Sequence, residues 1–339
     1  MKFKLFSFAM AIFIASSSGA FAISAIEKQI NTHLSPNTLK TASAQSVVNA
    51  AKDTLDDVGF TASTSSIVKI ALPYCASFAP DLVNAALAHI VADTTDFDPL
   101  DTKKHKAAVV QATAIVKTGM TSILAGSSKE KSGGSASIFP TGVNDKSDGA
   151  ARLTYFAVDK VKGNSDLLQA VVSTAVKTAQ TKGSGLQNGS AGATTGAITD
   201  VAGTSNTSIT VHAGVADTAA DALVANVILA AAKAAPKHVN DIALAVGYAF
   251  AGTYRATTAS GSQITPTAFL AASQAGLAAA IELAFNAKTA AKLHTIILQQ
   301  ISSGIALAYA GFEGPGQAGV SNFAFNNGSG TPVTDVTGL

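Results

Sequence analysis

Ser66 and Lys69 stand one helical turn apart, and Lys117-Thr118-Gly119 follows later in the chain. A serine paired with a lysine at this spacing can act as a nucleophile with an amine base, which is acyl-transfer chemistry. Enzymes of that kind hold their K-T-G on a strand edging the active site. Here Val109, Ala112, Val116, Met120 and Ile123 advance by three or four, so the K-T-G falls within an amphipathic helix. The two motifs are read as fortuitous, no catalytic residue is assigned, and the protein is not expected to be an enzyme.

Other chemical patterns fare similarly. Gly314, Gly316 and Gly319 match G-x-G-x-x-G, but the run follows a helical pattern and opens a loose tail, whereas a dinucleotide site needs a strand before it and a helix after it. No cofactor is expected. Asp93, Asp96, Asp98 and Asp101 offer hard oxygen ligands suited to calcium, without the glycine and terminal glutamate of an EF-hand loop. Lys103, Lys104 and Lys106 follow at once, so the segment reads as a solvated loop. The histidines, His33, His89, His105, His212, His238 and His294, have no zinc-type spacing, and no metal ligand set is assigned from sequence. Cys75, the single cysteine, reads as a small buried hydrophobe, with an intermolecular disulfide as its alternative role.

The elements that carry these residues follow from composition. The 339 residues are 47% hydrophobic, 13% charged and 6% aromatic, with no tryptophan. Alanine supplies about a fifth of the chain, a mix suited to closely packed helices. High apolar content with low net charge disfavours disorder of the whole chain, and one thiol rules out a disulfide scaffold. The fold class expected is mainly α: an alanine-rich antiparallel helical bundle or short α-solenoid with long polar loops.

The N-terminus has the layout of a secretory signal. Lys2 and Lys4 precede an uncharged apolar run over 5–15, and Ala20-Phe21-Ala22 has the small-x-small form that signal peptidase accepts. Cleavage near Ala22 would deliver the protein to the periplasm or the cell exterior. It would also remove two lysines and no acid, taking the formal net charge from +2 to zero. A near-neutral surface favours association. With arginine only at 152 and 255, phosphate recognition is poorly supplied and a nucleic-acid partner is not expected.

Along the mature chain, Ser24 and Glu27 form a capping box for a helix ending near Ser35-Pro36, and a second helix is expected from Asn37 or Thr38 to about Asp57, stopped by Gly59. A helix pair over 66–77 and 81–92 is expected to hinge at Ala79-Pro80. Residues 23–125 thus form an N-terminal helical unit. Residues 126–214 are expected to be loops rich in Gly, Ser and Thr, with one helix near 165–181 marked by Leu168, Val171, Val172, Ala175 and Ala179, and a short strand over 208–212. A C-terminal helical unit is expected over 215–310, with breaks at Pro236 and at Thr265-Pro266, and a Gly/Asn-rich tail over 311–339. Segments 76–84 and 232–240 share Ala, Ala, Pro, Val and Asn positions, an echo consistent with internal duplication.

The function expected is that of an exported, non-enzymatic structural or interaction protein acting through helical surfaces, by self-association or with another envelope protein. The alternative is a carrier or membrane-surface module for a lipid or other apolar ligand. Gly276 and Ala280 form a small-xxx-small pair that would suit either close soluble packing or helix contact in a membrane.

Overall fold

The computed structural model describes residues 19–58, 64–94, 102–125, 129, 145–183, 195–198, 207–210 and 219–258. They are mainly α-helical, and the helices pack on one another as a bundle. The chain divides into two compact units, Met1–Thr141 and Gly142–Leu339.

The first unit contains α1 (Gly19–Leu34), α2 (Ala44–Val58), α3 (Thr64–Ala71), α4 (Ala79–Thr94) and α5 (Thr102–Ala125). Helix α1 begins upstream of Ser24, so the expected capping box is not at a helix start, and Ile26, Ile30 and Leu34 bury one face at four-residue spacing. Helix α2 begins later than the expected Asn37 or Thr38. Local bonds hold that stretch in turns: the Thr41 hydroxyl accepts the Thr38 N–H (2.8 Å), and the Asn31 side-chain carbonyl accepts the Leu39 N–H (2.8 Å). Ser43 then caps α2, its hydroxyl accepting the Ser46 N–H (3.2 Å).

The expected hinge at Ala79-Pro80 lies elsewhere. The chain breaks at Cys75 (φ −147°, ψ 40°), between the 3₁₀ turns Leu72–Tyr74 and Ala76–Phe78. Pro80 sits within the first turn of α4, where its missing N–H costs no helical bond. Helix α5 packs on α3 and α4 and buries the stripe Val109, Ala112, Val116, Met120 and Ile123.

The second unit contains α6 (Asp145–Val161), α7 (Ser165–Gly183), the antiparallel strands β1 (Thr195–Ile198) and β2 (Thr207–Thr210), α8 (Ala219–Ala234), a 3₁₀ turn Pro236–His238, and α9 (Val239–Thr258). The register pairs Thr195 with Thr210 and Ile198 with Thr207. Helix α6 occupies part of the expected loop region. The composition at its start is loop-like, but Leu153, Thr154, Ala157, Val158 and Val161 recur at helical spacing and are all buried. Packing of that face outweighs weak local propensity.

Helix α8 is the centre of this unit. Six consecutive side chains, Val227 to Ala232, are at most 1% exposed, so over this stretch the helix is enclosed on every side. Helices α6, α7 and α9 pack against it. The expected elements over 259–310, the tail and its glycine cluster, and the Asp96–Asp98–Asp101 loop lie outside the described residues, as do His212 and His294.

Candidate functional site

The S-x-x-K match, read as fortuitous in the sequence, is carried on α3, where Ser66 is half-buried and Lys69 is exposed. Lys117, Thr118 and Gly119 lie inside α5, as the apolar periodicity predicts, and the Thr118 hydroxyl donates to the Ala114 carbonyl (2.7 Å) within that helix. The K-T-G is therefore helical backbone and offers no strand edge to an acyl group.

Cys75 is fully buried at the chain break, with its thiol donating to the Ala71 carbonyl (3.3 Å). A disulfide to a second chain would require this packing to open. Alkylation of Cys75 by iodoacetamide should therefore be slow in the native protein and rapid in denaturant, as mass spectrometry of timed samples will show.

Two clusters of polar side chains join helices distant in sequence. In the first unit, consecutive aspartates at the end of α2 each meet a histidine from another helix. His33 Nε2 of α1 lies 2.9 Å from Asp57 Oδ2, and His89 Nε2 of α4 lies 3.1 Å from Asp56 Oδ1. Gln29 adds a longer bond from its amide to Asp57 (3.4 Å). These groups are partly exposed, so each pair contributes on the order of 0–1 kcal/mol. They fasten α1 and α4 to the same end of α2.

The second cluster is deeper. The Asp241 carboxylate, in the first turn of α9, accepts from the Ser165 hydroxyl (3.0 Å) and the Gln169 amide (2.8 Å), both on α7. The same Gln169 amide also donates to Ser165 (3.2 Å), and His238 Nδ1 lies 3.6 Å from the other Asp241 oxygen. Gln169 is buried, whereas Ser165 is exposed and Asp241 and His238 are partly exposed, so this cluster ties α7 to α9 at the rim of the packed interior. In the second cluster the Ser165 hydroxyl meets the Asp241 carboxylate directly, and His238 lies on the other oxygen of that carboxylate. Among the described residues no three His, Cys, Asp or Glu side chains group as a metal site.

Beside Asp241, Asn240 is 8% exposed, and neither its amide nitrogen nor its carbonyl oxygen has a hydrogen-bond partner. An unsatisfied buried polar group costs about 1–3 kcal/mol. Asn240→Leu, of similar size and without that cost, should raise stability by about 1 kcal/mol in urea unfolding. Lys233, near the end of α8, has its pKa lowered from 10.5 by desolvation, the consequence of lying on the most enclosed helix.

Neither cluster was visible in the sequence, because the partners lie tens of residues apart and only the fold brings them together. The Ser165 and Gln169 spacing of one helical turn was present, but nothing local pointed to Asp241. Comparison with known protein families, curated proteins and solved structures finds no match to this chain.

Proposed function

We propose that this is an exported, non-enzymatic structural or interaction protein, released after cleavage near Ala22, which works through the outer faces of its helices. The observation that carries this reading is the use made of the polar clusters. The His33–Asp57, His89–Asp56 and Ser165–Gln169–Asp241 contacts each bind one helix to another. These polar side chains, among the described residues, thus serve the scaffold, and the helical surface is what the protein presents to others. A mature chain of zero net charge suits association with a second copy or with another envelope protein.

A second reading, a carrier or membrane-surface module for an apolar ligand, has one observation in its favour. Within α5, Lys104–Ala125 is long and apolar enough to cross a membrane, and half of that span is buried inside the protein. Val110 on the same helix is 51% exposed, the exposed large hydrophobe among the described residues.

Sedimentation velocity of the processed chain, followed by native mass spectrometry, distinguishes the two. Concentration-dependent self-association supports the first reading. A monomer that carries co-purified lipid replaces it with the second.

A further inference from the structure

We infer that α1–α4 of the first unit and α6–α9 of the second are copies of one four-helix module, and that the second copy carries an insertion between its second and third helices. The inference is independent of the functional reading.

The first argument is packing order. In the first unit α1 packs on α2 and α3, α2 packs on α3 and α4, and α3 packs on α4. In the second unit α6 packs on α7 and α8, α7 packs on α8 and α9, and α8 packs on α9. The same pairings recur in the same chain order. Among the described residues the first and fourth helices make no comparable contact in either unit. Four helices can be stacked in many other ways, and alanine content does not choose among them.

The second argument is local geometry at the junction of the third and fourth helices. Cys75 (φ −147°, ψ 40°) and Ala235 (φ −140°, ψ 65°) break the chain alike. Each is followed by a 3₁₀ turn of three residues, closed by a bond from Phe78 N–H to the Cys75 carbonyl and from His238 N–H to the Ala235 carbonyl, both 2.9 Å. Each fourth helix then opens with an aspartate in its first turn, Asp81 or Asp241. This sets Cys75 against Ala235, 160 positions apart. In that register Ile67 aligns with Val227, Leu82 with Ile242 and Ala86 with Val246, and all are buried. The similarity between 76–84 and 232–240 is four residues out of this register, so the short sequence echo is not the structural one.

The third argument is the second helix. Gln45, Val47, Val48, Ala51 and Thr54 of α2 recur as Gln169, Val171, Val172, Ala175 and Thr178 of α7, 124 positions later. The valines and alanines are buried in both. Both threonines bond back one turn, Thr54 to the Ala50 carbonyl (2.8 Å) and Thr178 to the Thr174 carbonyl (2.7 Å). The same 124 positions carry buried Ile26, Ile30 and Leu34 of α1 onto buried Ala150, Thr154 and Val158 of α6. The register is thus constant across the first two helices and constant again across the last two. The difference between 124 and 160 is 36 residues, and the two registers place it between the counterparts of Val58 and Thr64, within 183–223, the stretch that holds the β-hairpin and the start of α8.

The test is a loop exchange in the full-length chain. Residues 183–223 are replaced by their counterpart in the first copy, residues 59–63, which removes the 36-residue difference, and the variant is followed by circular dichroism and thermal unfolding. An inserted segment is dispensable, so the variant should stay helical and melt cooperatively within a few degrees of the parent. A crystal structure of the parent chain is the second measurement, and residues 219–258 should superpose on the first copy with Ala235 on Cys75. Loss of cooperative unfolding in the variant, or superposition only in another register or helix order, would overturn the inference.

Discussion

Shortening Leu229 to alanine should cost about 2–5 kcal/mol, a large effect for a single truncation. Leu229 lies in the enclosed stretch of α8 and is fully buried. A helix surrounded on all sides cannot rotate to close a cavity on one face without disturbing another, so the site should collapse poorly and the cost should fall toward the upper end of that range. Urea unfolding of the variant against the parent measures it. Val110→Ala supplies the control, since Val110 is 51% exposed and its truncation should change stability by no more than about 0.5 kcal/mol. Equal effects from the two substitutions would show that α8 is not the enclosed centre described above.

The second large effect concerns Asp241. Replacing it with alanine leaves the buried Gln169 amide without its shortest acceptor and takes a partner from Ser165. The expected loss is about 1–3 kcal/mol. Asp81 is its counterpart in the first turn of α4 but is exposed. Both aspartates face a helix N-terminus, where a carboxylate is worth about 0.3–1 kcal/mol. Asp81→Ala should lose only that amount, and the difference between the two alanine variants isolates the contacts to Ser165 and Gln169. Asp241→Asn keeps an acceptor and should recover part of the loss. An Asp241→Ala variant no less stable than Asp81→Ala would show that the cluster contributes nothing to holding α7 against α9.

How legible this molecule was depends on the range of the signal. The stripes of α5 and α7 could be read directly, because Val109 to Ile123 and Leu168 to Ala179 repeat at helical spacing and that repeat is what burial selects. Helix α6 was harder. Lys146, Ser147, Asp148 and Gly149 look like loop in isolation, and only the packing of Leu153, Ala157 and Val161 fixes the helix. Proline misled in the other direction: Pro80 was expected at a hinge, yet the break came at Cys75, since proline is compatible with a first helical turn. The polar clusters were not legible at all. His89 meeting Asp56, or Gln169 meeting Asp241, is a product of tertiary placement that no local pattern encodes.

The wholly apolar stretch Val227–Ala232 of α8 bears on how the polypeptide is made. Translation delivers α6 and α7 ahead of it, so when this sticky segment emerges two of its neighbours already exist to receive it. A circular permutant that began the chain at α8 would reverse that order, leave the segment waiting without cover, and invite aggregation during biosynthesis.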